Sequence, residues 1–167
     1  GATTTDVLTT QVMPLLAGSP SGLPGNGLYV YWAGANDLFE LLSAPAGNPQ
    51  QVITNAMNET ATALGSLISQ GAQDIVVLNL PDLSLTPWVI GLNDPATTAG
   101  VKALVTAYNQ ALDSTVWYLE SLTSIDIKTV DAFGLINDIA AAPEPYILHV
   151  VDEMRLYENG LVWPRQR

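Results

Sequence analysis

The sequence has no cysteine, one histidine and only five basic residues among 167. Without cysteine the chain has no disulfide, no thiol nucleophile and no cysteine-based zinc site, although this absence does not identify a compartment. The five basic residues stand against 16 acidic ones, which gives a formal net charge of −11. Because an acidic surface repels phosphate groups, we expect neither nucleic acid nor an anionic membrane as a partner.

Charged residues and long apolar runs are also scarce. Charged residues make up 13% of the chain, against roughly 25% in an average soluble domain. We therefore expect apolar surface that an oligomeric partner or a further part of the fold covers. The alternative is a surface rich in uncharged polar residues. With no run of about 18 apolar residues we expect no transmembrane segment, and the first residues predict no signal peptide.

The chain is organised around an apolar run that ends in a turn. Leu28 to Ala33 are aromatic, aliphatic or β-branched, which predicts a strand buried on both faces. Gly34 ends the run, and Asn36-Asp37 is expected to open a helix with an apolar side. Open α/β proteins place their chemistry where a buried parallel strand ends in such a turn.

The remaining periodicity predicts alternating helices and strands. The predicted elements are a threonine-capped helix within 1–16, disturbed at Pro14, a loop over 17–27, helices over 50–71, 96–122 and 131–141, strands over 73–80 and 125–130, and a loop over 81–95. This alternation predicts an α/β fold with a parallel sheet, in which the short third strand lies at an edge. Three strands leave unpaired edges, so we expect further strands or a homo-oligomer to cover them.

Four segments of the sequence carry a family resemblance: Gly1–Thr5, Tyr29–Leu38, Ile75–Pro87 and Ile127–Asp152. They resemble, in the same order, parts of the SGNH/GDSL family of serine lipases and esterases. Tyr29–Leu38 is similar to the family's GxND block, and Gly1–Thr5 resembles the residues at and after its block II glycine. Ile75–Pro87 and Ile127–Asp152 are similar to later segments of the phospholipase/lecithinase/hemolysin and autotransporter-esterase branch. The resemblance implies a truncated SGNH-hydrolase-like (flavodoxin-like) three-layer α/β fold, with a small parallel sheet flanked by helices.

Two blocks of that family have no counterpart in this sequence. It contains no Gly-Asp-Ser block, so we expect the family's nucleophilic serine and first strand to be missing. It contains no Asp-x-x-His-Pro block either, and residues 153–167 have no histidine. We therefore expect an incomplete SGNH-hydrolase-like domain over residues 1–152 and a divergent tail over 153–167.

The resemblance assigns oxyanion donors to Asn36, through its side-chain amide, and to Gly1, through its backbone N–H. A preorganised amide donor aimed at the tetrahedral oxyanion of ester hydrolysis stabilises it by about 3 kcal/mol. The residues alone leave a second interpretation open, in which Asn36 or Asp37 caps the helix that follows.

His149 is the only histidine. A serine–histidine hydrolase built from this chain alone must use it as the general base, with Asp131 or Asp152 as its orienter. The alternative is a partly buried structural histidine, because His149 corresponds to a non-catalytic position of the family. Ser84, in the loop after the second strand, is a candidate site residue or an ordinary turn serine.

Three aspartates follow predicted strands and are expected at one rim of the sheet: Asp37, Asp82 and Asp131. Such carboxylates could hold Ca²⁺ or Mg²⁺, but helix caps and turn residues explain them more simply. With no phosphate loop, dinucleotide fingerprint or zinc spacing, we predict no cofactor and no bound metal.

Two functions follow from these observations. The first is hydrolysis of acyl esters or lipids. The second is a non-catalytic, oligomerising remnant that binds a small apolar ligand. The resemblance also implies an extracellular or outer-membrane-displayed location.

Overall fold

Three strands form a parallel sheet in the computed structural model, which describes residues 1–43 and 47–143. Their order in the sheet follows the chain: β1 (Leu28–Tyr31), β2 (Asp74–Leu78) and β3 (Ile127–Val130). Tyr31 is paired with Val77, and Val77 with Thr129. The predicted α/β fold with a small parallel sheet, and the edge position of the third strand, are confirmed.

Helices flank this sheet. They are α1 (Thr4–Asp6), a π-helix (Val7–Val12), α2 (Met13–Ala17), α3 (Ala35–Ser43), α4 (Pro49–Ser69), α5 (Pro87–Gly91), α6 (Pro95–Thr123) and α7 (Ala132–Ala141). The first three form one N-terminal helical segment (residues 4–17), and Thr3 provides the threonine cap that the sequence predicts. This segment widens into the π-helix directly before Pro14, whose ring and missing N–H disfavour regular α-helical bonding.

The prediction of an unbroken loop over 81–95 is wrong. A 3₁₀ turn (Leu83–Leu85) and helix α5 interrupt that loop. The Asp82 side chain accepts a hydrogen bond from the Ser84 N–H, and Pro87 begins α5 with a φ angle suited to helix. These two elements contain too few residues to produce an apolar periodicity in the sequence.

One face of the sheet lies in the hydrophobic core. Its side chains Tyr31, Ile75, Val77 and Ile127 are between 1% and 5% exposed. They belong to one core cluster with the apolar stripes that periodicity predicted on α4 and α6, including Leu64 and Val105. Helices α4 and α6 also contact each other, which closes this core.

The opposite face of β1 is exposed, so the prediction of a strand buried on both faces is wrong. Leu28 and Val30 alternate with the core residues and are 67% and 61% exposed. Val130 of β3 lies on the same face and is 42% exposed. Side chains project from the faces of a sheet, and within residues 1–43 and 47–143 the helices leave these ones uncovered.

Two adjacent residues of α6 hold the carboxyl ends of β1 and β2. The Tyr108 hydroxyl donates to the Ala33 carbonyl oxygen at 3.2 Å. The buried Asn109 amide accepts from the Leu80 N–H and donates to the Leu80 carbonyl, each at 2.9 Å. Helix α6 therefore sets the positions of both strand ends, which is the rim of the sheet where the candidate site lies.

A substitution at Gly34 tests the contact between α6 and the end of β1. Its φ of +116° is disfavoured for residues with a side chain, and a β-carbon there would lie 2.0 Å from the Tyr108 hydroxyl oxygen. We expect Gly34→Ala to lower the free energy of unfolding by about 2–4 kcal/mol in urea denaturation.

Gly100 provides the matched control. It lies within α6, and a β-carbon there meets no heavy atom within 4 Å. Gly100→Ala should raise the free energy of unfolding by about 0.5–1 kcal/mol because alanine is the better helix former. Equal effects of the two substitutions would contradict the role given to the Gly34 turn.

Candidate functional site

Asn36 lies in the first turn of α3, where the chain leaves β1, and it contacts residues 1 and 2. Its Nδ2 donates to the Ala2 carbonyl oxygen at 2.7 Å. A β-carbon at Gly1 would lie 2.5 Å from the same Nδ2 atom, so a residue with a side chain cannot take this position without displacing Asn36. The structure thus brings together the two residues that the sequence predicts as oxyanion donors.

Gly1 and Asn36 border an open cleft of about 330 Å³, which Phe39, Glu40 and Ser43 complete. The Phe39 ring meets the Trp88 ring edge-on, with 5.8 Å between the ring centroids. Trp88 is 47% exposed, so this aromatic pair is partly open to solvent. The cleft therefore combines a side-chain amide with an aromatic neighbour, groups that can contact a carbonyl oxygen and an apolar substituent.

Asp37 binds residue 4 through both of its carboxylate oxygens. Oδ2 accepts from the Thr4 N–H at 2.9 Å, and Oδ1 accepts from the Thr4 hydroxyl at 2.6 Å. Helix α3 begins at Ala35, one residue before Asn36. Within the described ranges the Asn36 and Asp37 side chains bond to residues 2 and 4 and to no backbone N–H of α3, so the capping interpretation is wrong.

Glu59 joins this contact from α4. Its Oε2 lies 2.5 Å from the Thr4 hydroxyl, and its Oε1 accepts from the Thr5 hydroxyl at 2.7 Å. Thr4 itself is fully buried. Sequence reasoning missed Thr4 and Glu59 as site residues, because no spacing pattern links two residues 55 positions apart.

Ser84 is a buried turn residue, which confirms the simpler of its two interpretations. It is 2% exposed, and its hydroxyl and N–H both donate to Asp82 Oδ1, at 2.5 and 3.0 Å. The other Asp82 oxygen faces Lys102 Nζ at 2.9 Å, an ion pair rather than a directed hydrogen bond. Burial raises the Asp82 pKa, but the contacts with Ser84 and Lys102 outweigh it and leave the pKa below its usual value.

Asp131 caps α7. Its Oδ1 accepts from the Gly134 N–H and from Asn79 Nδ2, each at 2.9 Å. The Gly134 N–H and the Asn79 amide lower the Asp131 pKa by stabilising the carboxylate. The predicted capping and turn roles are therefore confirmed for Asp82 and Asp131, whereas Asp37 binds Thr4. In the described part of the chain no three Asp, Glu or His side chains form a group that could hold a metal ion.

Several predictions fall outside residues 1–43 and 47–143. They concern His149, Asp152, the domain boundary at 152 and the tail over 153–167, and they stay predictions. Among the helices that the structure describes, none is both long and apolar enough to cross a membrane.

Comparisons with known proteins agree with the resemblance noted in the sequence. Lipase 1 of Photorhabdus luminescens is 34% identical over 80 residues, which is 48% of this chain and 12% of that protein. The chain thus covers a small part of this curated relative. The model of the GDSL-like lipase/acylhydrolase family matches residues 1–146. Because this match includes all three strands and both predicted oxyanion donors, the chain belongs to the GDSL-like lipase/acylhydrolase family.

Proposed function

We propose that this chain forms the oxyanion-binding part of an SGNH-type carboxylic ester hydrolase that acts on acyl esters. Membership of the GDSL-like lipase/acylhydrolase family and the similarity to Lipase 1 support an ester or lipid substrate. The observation that carries the proposal is the contact between Gly1 and Asn36, which leaves no space for a β-carbon at position 1.

The chemistry follows from the orientation of the Asn36 amide. A side-chain amide has two N–H groups, and the bond to the Ala2 carbonyl uses one of them at 2.7 Å. In the proposal the second N–H donates to the ester carbonyl oxygen, and the Gly1 nitrogen provides a second donor. Because that oxygen gains negative charge during attack, both hydrogen bonds strengthen in the transition state and lower its free energy.

The open cleft supports the assignment of acyl esters. Phe39 borders it beside Asn36, and Trp88 extends the aromatic surface. These rings would contact the apolar part of the substrate while its carbonyl group meets the amide donors. The proposed general base is His149, the only histidine of the chain. No nucleophile is assigned, because the sequence has no Gly-Asp-Ser block and Ser84 is buried and bonded to Asp82.

Asn36→Ala tests the proposed donor. We expect it to lower kcat for p-nitrophenyl butyrate by about 100- to 1,000-fold, the effect of removing one oxyanion-hole donor. KM should change little, because the lost bond acts mainly on the transition state. Asn26→Ala, in the exposed loop before β1, is the control and should keep wild-type turnover. Undiminished turnover in Asn36→Ala would contradict the assignment.

A second candidate function is non-catalytic binding of a small apolar ligand. A groove of about 510 Å³ lies between the N-terminal helical segment and β1, and its lining contains no charged residue. Val12, Leu15, Leu28 and Trp32 give it an apolar surface. Absence of both fluorophosphonate labelling and ester turnover, with saturable binding of the neutral probe N-phenylnaphthylamine, would favour this function over hydrolysis.

We also propose that the exposed face of β1 contributes to a homo-oligomer. Val30 is 61% exposed in β1, the outer strand of the sheet over residues 1–43 and 47–143, and unpaired apolar edge strands associate readily. The uncharged groove beside it places no like charges between two copies of this acidic chain.

Val30→Lys tests the interface, because a charge at this edge should disfavour association. We expect wild-type protein to sediment as an oligomer in analytical ultracentrifugation and Val30→Lys to sediment as a monomer. Leu122→Lys is the matched control, since Leu122 of α6 is 64% exposed and lies outside the sheet. A monomeric wild type would contradict the interface.

A further inference from the structure

We propose that Asp37 and Thr4 form a positioning clamp that holds Gly1 in register with Asn36. The consequence for catalysis rests on the proposed function, whereas the clamp itself is a matter of geometry. Asp37 is therefore a positioning residue and not a catalytic one.

The clamp is a two-point contact between the first residues of the chain and the start of α3. Both carboxylate oxygens of Asp37 bind Thr4, one through its N–H at 2.9 Å and one through its hydroxyl at 2.6 Å. Asn36 binds Ala2 one residue earlier on the same helix turn. A single hydrogen bond permits rotation about its axis, but two parallel bonds fix both distance and orientation.

Asp37 also completes the start of the N-terminal helical segment. The first N–H groups of a helix have no partner within the helix. The Thr3 hydroxyl accepts from the Asp6 N–H, and Asp37 accepts from the Thr4 N–H. Because Thr4 is fully buried, loss of Asp37 would leave its N–H without this partner and without water. The carboxylate therefore caps a helix other than its own and ties it to α3.

Glu59 anchors the same point to α4. The Thr4 hydroxyl lies within 2.6 Å of both carboxylates but has only one proton, so it donates to one of them at a time. Glu59 also accepts from Thr5. The first residues are thus held by α3 and α4 together, and Gly1 follows the position of Thr4.

Asp37 does not border the cleft of Gly1, Asn36 and Phe39. Any effect of Asp37 on catalysis therefore comes from positioning these residues. Both of its oxygens are directed at Thr4. Its removal should therefore change the orientation of the Asn36 amide without removing a group that touches the substrate.

Two substitutions separate geometry from charge. In Asp37→Asn the amide oxygen can accept from the Thr4 N–H, and the amide nitrogen can donate to the Thr4 hydroxyl. The Thr4 hydroxyl then donates its hydrogen bond to Glu59, so every hydrogen bond of the clamp is retained without the charge of Asp37. Asp37→Ala removes both contacts.

The first measurement uses nitrogen-15 NMR of this chain and needs no enzymatic activity. In Asp37→Ala we expect the chemical shifts of the two Asn36 Nδ2 protons to move to those of a solvent-exposed asparagine amide, and the exchange of the Ala2-bonded proton with water to rise about tenfold, the effect of one lost hydrogen bond. Asp37→Asn should keep the wild-type signals. Unchanged Asn36 signals in Asp37→Ala, or equal changes in both variants, would overturn the clamp.

Asp94→Ala controls for general loss of stability. Asp94 caps α6 by accepting from the Ala96 and Thr97 N–H groups, far in sequence from the clamp. This variant should unfold at lower urea concentration but keep the Asn36 signals. If it alters them as Asp37→Ala does, the signals report overall stability and the clamp is overturned.

The second measurement is turnover of p-nitrophenyl butyrate. A displaced donor should lower kcat by about 10- to 100-fold in Asp37→Ala, with KM unchanged and with near wild-type kcat in Asp37→Asn. An inactive wild type would count against the proposed function only, because the NMR result tests the clamp independently. A wild-type kcat in Asp37→Ala would overturn the effect of the clamp on catalysis.

Discussion

The contact between α6 and the carboxyl ends of β1 and β2 is the constraint on which the candidate site depends. Tyr108 bonds the backbone beside Gly34, and Asn109 bonds both backbone groups of Leu80. These bonds are made where the strands stop and the backbone loses its partners in the sheet. A buried amide or carbonyl without a partner is costly, so the two side chains of α6 determine where the turns lie. Asn36 follows the first of these turns directly.

The second constraint is the placement of the few charged side chains of this chain. In a chain with 13% charged residues, Asp37 and Glu59 bind Thr4, Asp82 binds Ser84 and Lys102, and Asp131 caps α7. Each carboxylate accepts a hydrogen bond from a residue near the start of a helix or of the 3₁₀ turn. The acidic residues therefore connect the segments around the rim of the sheet, while apolar stripes hold the layers together.

Apolar packing and directed polar contacts hold different parts of the structure in place. The core between the sheet and helices α4 and α6 needs only apolar side chains of suitable volume. The position of Gly1 relative to Asn36 depends instead on directed hydrogen bonds to Ala2 and Thr4. The donor role proposed for Asn36 requires far more precise placement than a core side chain does, and polar contacts at the carboxyl end of β1 hold Asn36 against the first residues of the described chain.

Local sequence patterns were sufficient to predict most of the fold. Apolar periodicity identified α4, α6 and the three strands, and the threonines near the start of the sequence predicted a threonine cap, which Thr3 provides. Family resemblance pointed to Gly1 and Asn36. The exposure of Leu28 and Val30 could not be read from their run, because an apolar strand does not indicate whether helices cover one or both of its faces.

Tertiary structure alone decided how the site is held. The side chains of Asp37 and Asn36 carry the signature of helix caps, yet they bind Thr4 and Ala2. Glu59 reaches Thr4 across 55 positions. Periodicity reports which side of an element is apolar, because burial follows from that element's own sequence. It carries no information about which polar groups meet between elements, because those contacts depend on how separate segments pack in three dimensions.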